Sequence, residues 1–330
     1  MPFERFMGIA LYDERGFFGG ETLRSEKAGD FLTSPEVSPL FGETLAVYVE
    51  RVRDRIGEPF QLVEVAAGSG SLLKPLLARA DVVALAVEVS PAARRSLAEF
   101  VEVSDSLPKG IRGIVMANEL LDNLPMALAQ KVDGQWRERW VGAEDEDLVF
   151  VDAEPRAEVL EWLTAYAGPV DEGGWVEVQL AARSWVCDVV EMLTAGSLLV
   201  IDYGETTENL RGRRRDGTLR TYRAHHLGPH PLDEPGETDI TADVNFTALL
   251  DVSPDTALHR QDDFLVELGL RDRLSQLRKE ELESARAGDE MERLRLRALK
   301  TEAETLLHPR GLGDFRVLEI RIDWNSDHGA

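Results

Sequence analysis

The sequence contains very little cysteine: among its 330 residues Cys187 is the only one. One thiol excludes an intramolecular disulfide and a zinc site built from several cysteines. Cys187 lies in the apolar helical segment SWVCDVVEML, and we interpret it as a buried structural residue. Three histidines near residue 225 lack the spacing of metal ligands, so we expect no metal site.

Basic residues are also scarce relative to acidic ones. The chain has 37 Lys and Arg against 61 Asp and Glu, which gives a net charge of −24. Proteins that bind nucleic-acid backbones need a basic surface, so this balance argues against general nucleic-acid binding. The short basic run at 211–215 is interpreted as a solvated loop.

Long apolar runs are absent as well. Spanning a bilayer takes ~20 consecutive apolar residues, and no stretch approaches that length. The first sixteen residues carry acids early and have no continuous apolar segment, so we expect no secretory signal. A hydrophobic content of 43% is typical of a globular protein with one large or two modest domains. We therefore predict a soluble, cytoplasmic protein without membrane contact.

What the sequence does contain is a strand, loop, helix and strand in close succession. The stretch QLVEV (61–65) predicts a buried strand, AAGSG (66–70) a tight loop, and SLLKPLLARA (71–80) a helix. A second apolar strand, 82–87, ends in Glu88. This order is that of a nucleotide-binding unit.

Two nucleotide cofactors compete for this loop. The dinucleotide pattern G-x-G-x-x-G requires a third glycine, but Leu73 stands three residues after Gly70, which excludes it. The S-adenosylmethionine (SAM) pattern has an acid before the glycines and a second acid after the next strand. Here Glu64, Gly68 and Gly70 fit the loop, with Ala66 in place of a first glycine. The second acid, 18 residues after Gly70, could bind the ribose hydroxyls. The loop alone leaves open a small-residue turn of another kind.

Polar residues follow several other predicted strands. GIVMA (113–117) is followed by Asn118 and Glu119, and SLLVID ends at Asp202 with Tyr203 after it. Because parallel strands of an open sheet end at one edge, we expect these residues to share a crevice with the loop. A further acid, Asp105, follows a short strand and could reach an adenine amino group.

The predicted fold class is α/β, with a Rossmann-like doubly wound sheet. Residues 1–58 are expected to form an N-terminal helical cap. The cofactor-binding core is expected to comprise 59–125 and 176–330, with C-terminal helices. Residues 126–175 alternate apolar and polar around an Asp133-Gly134 turn, which predicts an inserted α+β region on the substrate side.

Several separated motifs resemble the MidA-like family of SAM-dependent methyltransferases over nearly the whole chain. These are GDFLTSPEVSPLFGE, VEVAAGSGSLL, VEVSP, ANELLDNLP, WRERWV, LLVIDYG, GTLRTYRAHH, DITADVNF and LHPRGLGDFRVLEI. The resemblance implies a class I methyltransferase with SAM as cofactor. Mitochondrial members of that family are complex I assembly factors that methylate an arginine, which implies a protein substrate presenting an arginine, such as a respiratory-complex subunit. The chain departs from the family at Ala66, commonly glycine, and at Asp243 and Asn245, commonly histidine and aspartate.

The chemistry of arginine methylation suggests roles for the candidate residues. Glu119 and Asp122 are the leading catalytic candidates, since paired carboxylates can orient and polarise a guanidinium. Asp202 and Tyr203 are second candidates. His225 and Asp239 would line the acceptor side. The expected cofactor contacts are Thr33, Ser34, Pro35, Glu64, Ala66, Gly68, Gly70, Glu88, Asp105 and Asn118.

Two alternative functions stay open at this level. A methyltransferase acting on a small molecule would need the same cofactor site. A non-catalytic assembly factor could keep the fold and the cofactor but act by binding a partner protein. The oligomeric state is not predicted.

Overall fold

The computed structural model describes residues 1–20, 33–210, 215–223 and 226–324. A seven-stranded sheet forms its centre, in the order β3-β2-β1-β4-β9-β16-β15. The strands from β3 to β9 are parallel, and β16 runs antiparallel to both of its neighbours. These strands are β1 (Gln61–Val65), β2 (Val83–Val87), β3 (Glu102–Ser104), β4 (Ile111–Asn118), β9 (Leu193–Asp202), β15 (Thr256–Arg260) and β16 (Arg316–Ile322).

Helices cover both faces of this sheet, which explains why its inner strands are apolar almost throughout. Alternate residues enter different cores: Leu62 and Ile114 face one layer, while Val63 and Val115 face the other. The second layer includes α7 (Leu180–Met192). The first layer contains α3 (Leu40–Ile56), α4 (Leu73–Leu77), α5 (Pro91–Leu97), α9 (Gln261–Glu267), α10 (Leu270–Ala287) and α11 (Glu290–Thr305). The predicted doubly wound α/β architecture is confirmed.

One glycine pair lets β4 and β9 approach each other. Gly113 is opposite Gly196 in the register, and a Cβ on Gly196 would lie 1.8 Å from the Gly113 carbonyl oxygen. Gly196 has a φ of 123°, which other residues rarely adopt. Only glycine fits at this crossing.

A second, four-stranded antiparallel sheet packs beside the first helix, in the order β7-β6-β5-β8. Asp133 and Gly134 form the tight turn between β5 and β6, both with positive φ. The elements of this region are α1 (Phe3–Tyr12), β5 (Ala127–Val132), β6 (Gln135–Glu144), β7 (Asp147–Ala153), α6 (Ala157–Tyr166) and β8 (Trp175–Val178).

The accessory sheet and the N-terminal helices do not follow the predicted domain boundaries. The last strand of the accessory sheet extends to Val178, past the predicted end of the insertion at residue 175. Phe3, Met7 and Leu11 of α1 pack against the accessory sheet, whereas α3 packs on the central sheet. The range 1–58 therefore holds helices of two layers, because apolar faces pack on whichever sheet lies opposite them.

Short elements connect the two sheets at the carboxyl edge of the central one. They are α2 (Ser34–Val37), β10 (Gly204–Glu205), α8 (Thr207–Leu210), β11 (Arg220–Arg223), β12 (His226–Leu227), β13 (Asp239–Thr241), β14 (Val244–Asn245) and 3-10 turns at Leu121–Asn123, Phe246–Ala248 and Leu312–Asp314. Among the helices in the described ranges, none has both the length and the apolarity needed to cross a bilayer.

Candidate functional site

The loop after β1 has left-handed backbone at three positions. Ala66, Gly68 and Gly70 have φ values of 57°, 53° and 76°. A Cβ on Gly70 would lie 2.6 Å from the Phe100 ring, so a larger residue does not fit there. Ala66 adopts the same backbone region at a cost of about 1–2 kcal/mol, because its Cβ is crowded there. The loop lies where the strand order changes direction: β2 and β3 follow on one side of β1, and β4 lies on its other side. Open α/β sheets bind their ligands at such a point.

Two acids lie beside this loop. Glu88, after β2, accepts hydrogen bonds from the backbone N–H groups of Gly68 at 2.9 Å and Ser90 at 2.8 Å. Glu64, within β1, is buried, and its Oε2 has no hydrogen-bond partner among the described residues. Burial raises the pKa of Glu64 to about 8, and the Glu88 carboxylate adds to the rise. A cationic or hydrogen-bond-donating ligand would satisfy this oxygen.

Asn118 ends β4, and Glu119 follows it at the same edge of the sheet. The Asn118 amide donates to Glu119 at 3.2 Å, and its own Oδ1 is buried without a partner in the part of the chain described. Glu119 has a φ of 52°, a strained conformation for a residue with a long side chain. Burial raises the pKa of Glu119 to about 8; Asp122 adds to the rise, while contacts with Asn118 and the Ser34 backbone oppose it.

The N-terminal motif reaches this edge through α2. The Thr33 N–H donates to Glu36 at 3.1 Å, which stabilises the start of the helix. Ser34 is fully buried and contacts both the Glu119 carboxyl and the Gln261 amide. Thr33, Ser34 and Pro35 are therefore close to the end of β4, while residues 29–32 of the motif lie outside the described residues.

Asp122 is held in a network of hydroxyl groups. Its Oδ2 accepts hydrogen bonds from the Tyr203 phenol and, at 2.7 Å, from Thr241. Its Oδ1 is buried and unpaired within the described ranges. Burial raises the pKa of Asp122, and the bonds from Tyr203 and Thr241 oppose the rise. This side chain keeps one oxygen available for a donor.

Asp202 does not fit its predicted catalytic role. It is fully buried and accepts hydrogen bonds from the backbone N–H groups of Leu121 at 2.9 Å and Tyr203 at 2.9 Å. Burial raises its pKa well above the ordinary value, and the nearby Asp122 and Glu119 carboxylates add to the rise. Asp202 also accepts from the Asp122 N–H, so it fixes the turn that carries Asp122 and does not line the cavity beside that turn.

A cavity of about 240 Å³ lies between the ends of β4 and β9 and the β11–β13 sheet. It brings together predicted residues (Glu119, Asp122, Tyr203, Asp239) with others that we did not predict individually. The four unpredicted lining residues are Asn123, Arg220, Tyr222 and Phe315. Asn123 donates to Asp239 at 2.7 Å and so links the turn after β4 to β13. All four belong to motifs of the family resemblance: Asn123 to ANELLDNLP, Arg220 and Tyr222 to GTLRTYRAHH, and Phe315 to LHPRGLGDFRVLEI.

The remaining predicted residues are less closely joined to this site. Asp105 follows β3 but is 73% exposed, next to Arg94 at 3.9 Å. Its adenine contact stays a prediction. His225 lies outside the described residues. No cluster of three or more His, Cys, Asp and Glu side chains that could hold a metal occurs in the described ranges.

The two residues near position 244 that differ from the family's common pattern have different surroundings. Asp243 accepts a hydrogen bond from Arg220 at 2.7 Å, so its charge is paired with a residue of the cavity wall. The Asn245 amide donates to the Tyr166 carbonyl at 3.3 Å, and its oxygen accepts from Thr247 and Thr207. An aspartate could not make the bond to Tyr166.

These features fit S-adenosylmethionine. The cramped glycine loop lets a ligand approach the backbone closely, and Glu88 retains lone pairs that ribose hydroxyls can use. The unpaired oxygens of Glu64 and Asn118 can accept N–H or O–H groups. On this basis we propose that the cofactor is contacted by Glu64, Gly68, Gly70, Glu88 and Asn118.

Comparisons with known proteins agree with this fit. Residues 42–262 match the family described as "Putative S-adenosyl-L-methionine-dependent methyltransferase". A Burkholderia thailandensis protein crystallised with S-adenosyl-homocysteine superposes with a TM-score of 0.85 at 29% identity, covering 97% of this chain and 87% of that one.

Curated relatives carry a more specific name. The chain is 28% identical to the "Protein arginine methyltransferase NDUFAF7 homolog, mitochondrial" of Drosophila melanogaster and 28% identical to the human protein arginine methyltransferase NDUFAF7. Each alignment covers 71% of this chain and 61% of the relative, so the chain spans about three fifths of their length.

One prediction is corrected by these relatives, and the family is established. The predicted cytoplasmic location is wrong by this comparison, because the matching proteins of fly, frog and human are named mitochondrial. The family match covers more than half of the chain, and the cofactor is S-adenosylmethionine. The chain is therefore a member of the MidA-like family of S-adenosylmethionine-dependent methyltransferases.

Proposed function

We propose that the protein transfers a methyl group from S-adenosylmethionine to the guanidinium of an arginine in a protein substrate. The observation that carries the proposal is the cavity, where Glu119 and Asp122 lie with three aromatic rings. It opens at the sheet edge that also carries the cofactor loop, because β1 and β4 are parallel neighbours. Carboxylates pair with guanidinium groups, and aromatic faces attract cations. The names of the relatives support the same acceptor.

The chemistry assigns distinct tasks to the chain's residues. When bound, S-adenosylmethionine supplies a methyl group on a positively charged sulfur. The unpaired Oδ1 of Asp122 and the Glu119 carboxylate accept guanidinium N–H groups and so orient one nitrogen. The nitrogen gains the methyl group as the sulfur–methyl bond breaks, S-adenosyl-homocysteine is the leaving group, and the nitrogen must lose a proton.

Glu119 is the residue that we assign to take this proton. Burial raises its pKa to about 8, which makes its carboxylate a stronger base than an ordinary exposed glutamate. Asp122 is tied by Tyr203 and Thr241 and acts as the fixed partner. Glu119 and Asp122 are thus proposed catalytic residues, and Tyr203 positions Asp122.

We propose a respiratory-complex subunit as the acceptor protein. The support is the resemblance of the separated motifs to complex I assembly factors and the mitochondrial names of the relatives. The net charge of −24 is compatible with a cationic segment carrying the acceptor.

Mass spectrometry of cell proteins tests the proposal. Cells lacking the gene are compared with cells that express the wild type, Glu119→Gln or Glu99→Gln. Glu99 is exposed on the chain, so its variant controls for the loss of one carboxylate elsewhere. We expect a methyl-arginine that is lost without the gene, restored by the wild type and by Glu99→Gln, and not by Glu119→Gln.

Two results would contradict the proposal. Restoration of the cellular phenotype by Glu119→Gln without any methyl-arginine would indicate a binding protein that works without catalysis. A methylated metabolite in place of a methylated protein would indicate a small-molecule enzyme. Binding of S-adenosyl-homocysteine to Glu119→Gln, measured by calorimetry, shows that the variant is folded.

A further inference from the structure

Arg220 occupies one wall of the cavity in a fixed orientation. Its Nη1 donates to the Thr218 carbonyl at 3.0 Å and to Asp243 at 2.7 Å, and its Nε donates to the Tyr222 hydroxyl at 3.1 Å. Its guanidinium carbon lies 4.7 Å from the centre of the Tyr203 ring. Four contacts therefore hold a side chain that would otherwise be highly mobile.

One part of this guanidinium has no hydrogen-bond partner among the residues that the structure describes. The N–H groups of Nη2 make no hydrogen bond with any of the described residues, although the side chain lines the cavity and is only 26% exposed. A planar guanidinium held on its other edge presents these two donors in one fixed direction. They are placed to meet an oxygen of whatever enters the cavity.

The charge balance around Arg220 indicates what kind of oxygen that is. The positive charge of Arg220 is already matched by Asp243 at 2.7 Å. The same cavity carries the acids Glu119, Asp122 and Asp239, which would repel a further carboxylate. A neutral carbonyl oxygen accepts from a guanidinium without adding negative charge.

We propose that Arg220 is a specificity-determining residue that binds a backbone carbonyl oxygen of the substrate next to the acceptor arginine. This inference rests on the proposed function and extends it. The acids bind the guanidinium end, whereas Arg220 recognises that the arginine is part of a peptide. Free alkylguanidines would lack this second contact.

Calorimetry with two small probes tests the proposal, in the presence of S-adenosyl-homocysteine. N-acetyl-L-arginine N-methylamide has a guanidinium and two carbonyl groups, whereas butylguanidine has the guanidinium alone. We expect the wild type to bind the amide about tenfold more tightly, as a hydrogen bond from a charged donor predicts. Arg220→Gln should bind the two probes with equal affinity, since it loses the fixed donors but leaves the acids.

The control makes the same change on the surface. Arg95 is exposed on α5, and Arg95→Gln should keep the full preference for the amide. If Arg220→Gln does not fold, Arg220→Lys is tested instead. Lysine keeps the positive charge beside Asp243 but has no counterpart of the Nη2 donors that point into the cavity. The same loss of preference is expected.

The outcomes separate this proposal from the function on which it rests. Equal affinity of the wild type for both probes, or an undiminished preference in the folded Arg220 variants, would overturn the role of Arg220 alone. Binding of neither probe by the wild type would contradict the arginine pocket itself and Arg220's role with it. Glu119→Gln should weaken the binding of both probes by similar factors.

Discussion

The phenol of Tyr203, which follows β9, donates a hydrogen bond to Oδ2 of Asp122, in the turn that follows β4. This contact ties the ends of two adjacent strands together across 81 residues of sequence. Thr241 donates to the same oxygen at 2.7 Å, so Oδ1 of Asp122 is the atom left for a substrate. The proposed catalytic pair depends on this tie.

Removal of the phenol should impair the reaction without affecting the cofactor. Tyr203→Phe keeps the ring but loses the donor to Asp122, so Asp122 becomes less well oriented and harder to ionise. We expect kcat for the acceptor to fall about tenfold or more, as for one lost hydrogen bond to a charged group. Binding of S-adenosyl-homocysteine should not change. Tyr166→Phe loses a hydroxyl bound to Asp251, outside the cavity, and should leave kcat unaltered.

The buried acid Glu64 should make stability depend on pH. Its pKa rises from the ordinary 4.5 to about 8 in the folded protein, so folding holds a proton that the unfolded chain releases. The stabilising effect of this proton is present below pH 4.5 and is lost as pH rises through about 8. We expect the melting temperature of the ligand-free protein to fall over this range, and to fall less in Glu64→Gln. If the melting temperatures of the wild type and Glu64→Gln fell in parallel with pH, ionisation of Glu64 would carry no cost in stability.

Ala66 should be a site where glycine stabilises the protein. Its φ of 57° costs about 1–2 kcal/mol, and glycine avoids that cost while losing about 0.5–1 kcal/mol in chain entropy. Ala66→Gly should therefore raise the free energy of unfolding by about 0.5–1 kcal/mol in urea titrations. Ala67→Gly is the matched control and should lower it, because Ala67 is buried and lacks a positive φ. Destabilisation by Ala66→Gly would mean that the alanine methyl makes a contact that outweighs the strain.

The amide of Asn245 should be required for stability. Asn245→Asp replaces the donor to the Tyr166 carbonyl by an oxygen and buries a negative charge beside it. We expect the free energy of unfolding to fall by about 1–3 kcal/mol, as for a buried group left without its partner. Gln135→Glu makes the same amide-to-carboxylate exchange at an exposed position, where the side-chain oxygen accepts a bond from Arg137 that a carboxylate keeps, and should change it by about 0.5 kcal/mol or less. Equal effects at both positions would show that burial does not matter.

Local patterns predicted much of the site. The loop from Ala66 to Gly70 was identifiable because tight turns with positive φ require small residues at short spacing. Glu88, Asn118 and Glu119 could be assigned to one edge, since parallel strands of a sheet end together. These inferences needed only residues that are close in sequence and the general geometry of the fold.

Contacts between distant segments could not be predicted in this way. Asp202 looked like its neighbours at the strand ends, yet it lies beneath the turn at Leu121 and stabilises it. The position of α1 on the accessory sheet was likewise hidden, because an apolar helix face is equally compatible with either sheet.

The sequence by itself determined the α/β fold, the cofactor loop and the acids that follow the strands, because each arises from spacing within a few residues. Only the tertiary structure decided which of those acids face the cavity and which partners they have. Asp122 meets Tyr203 and Thr241, and Arg220 meets Asp243, across long stretches of chain. Such pairings depend on how layers pack in three dimensions, and spacing along the chain carries no signal for them.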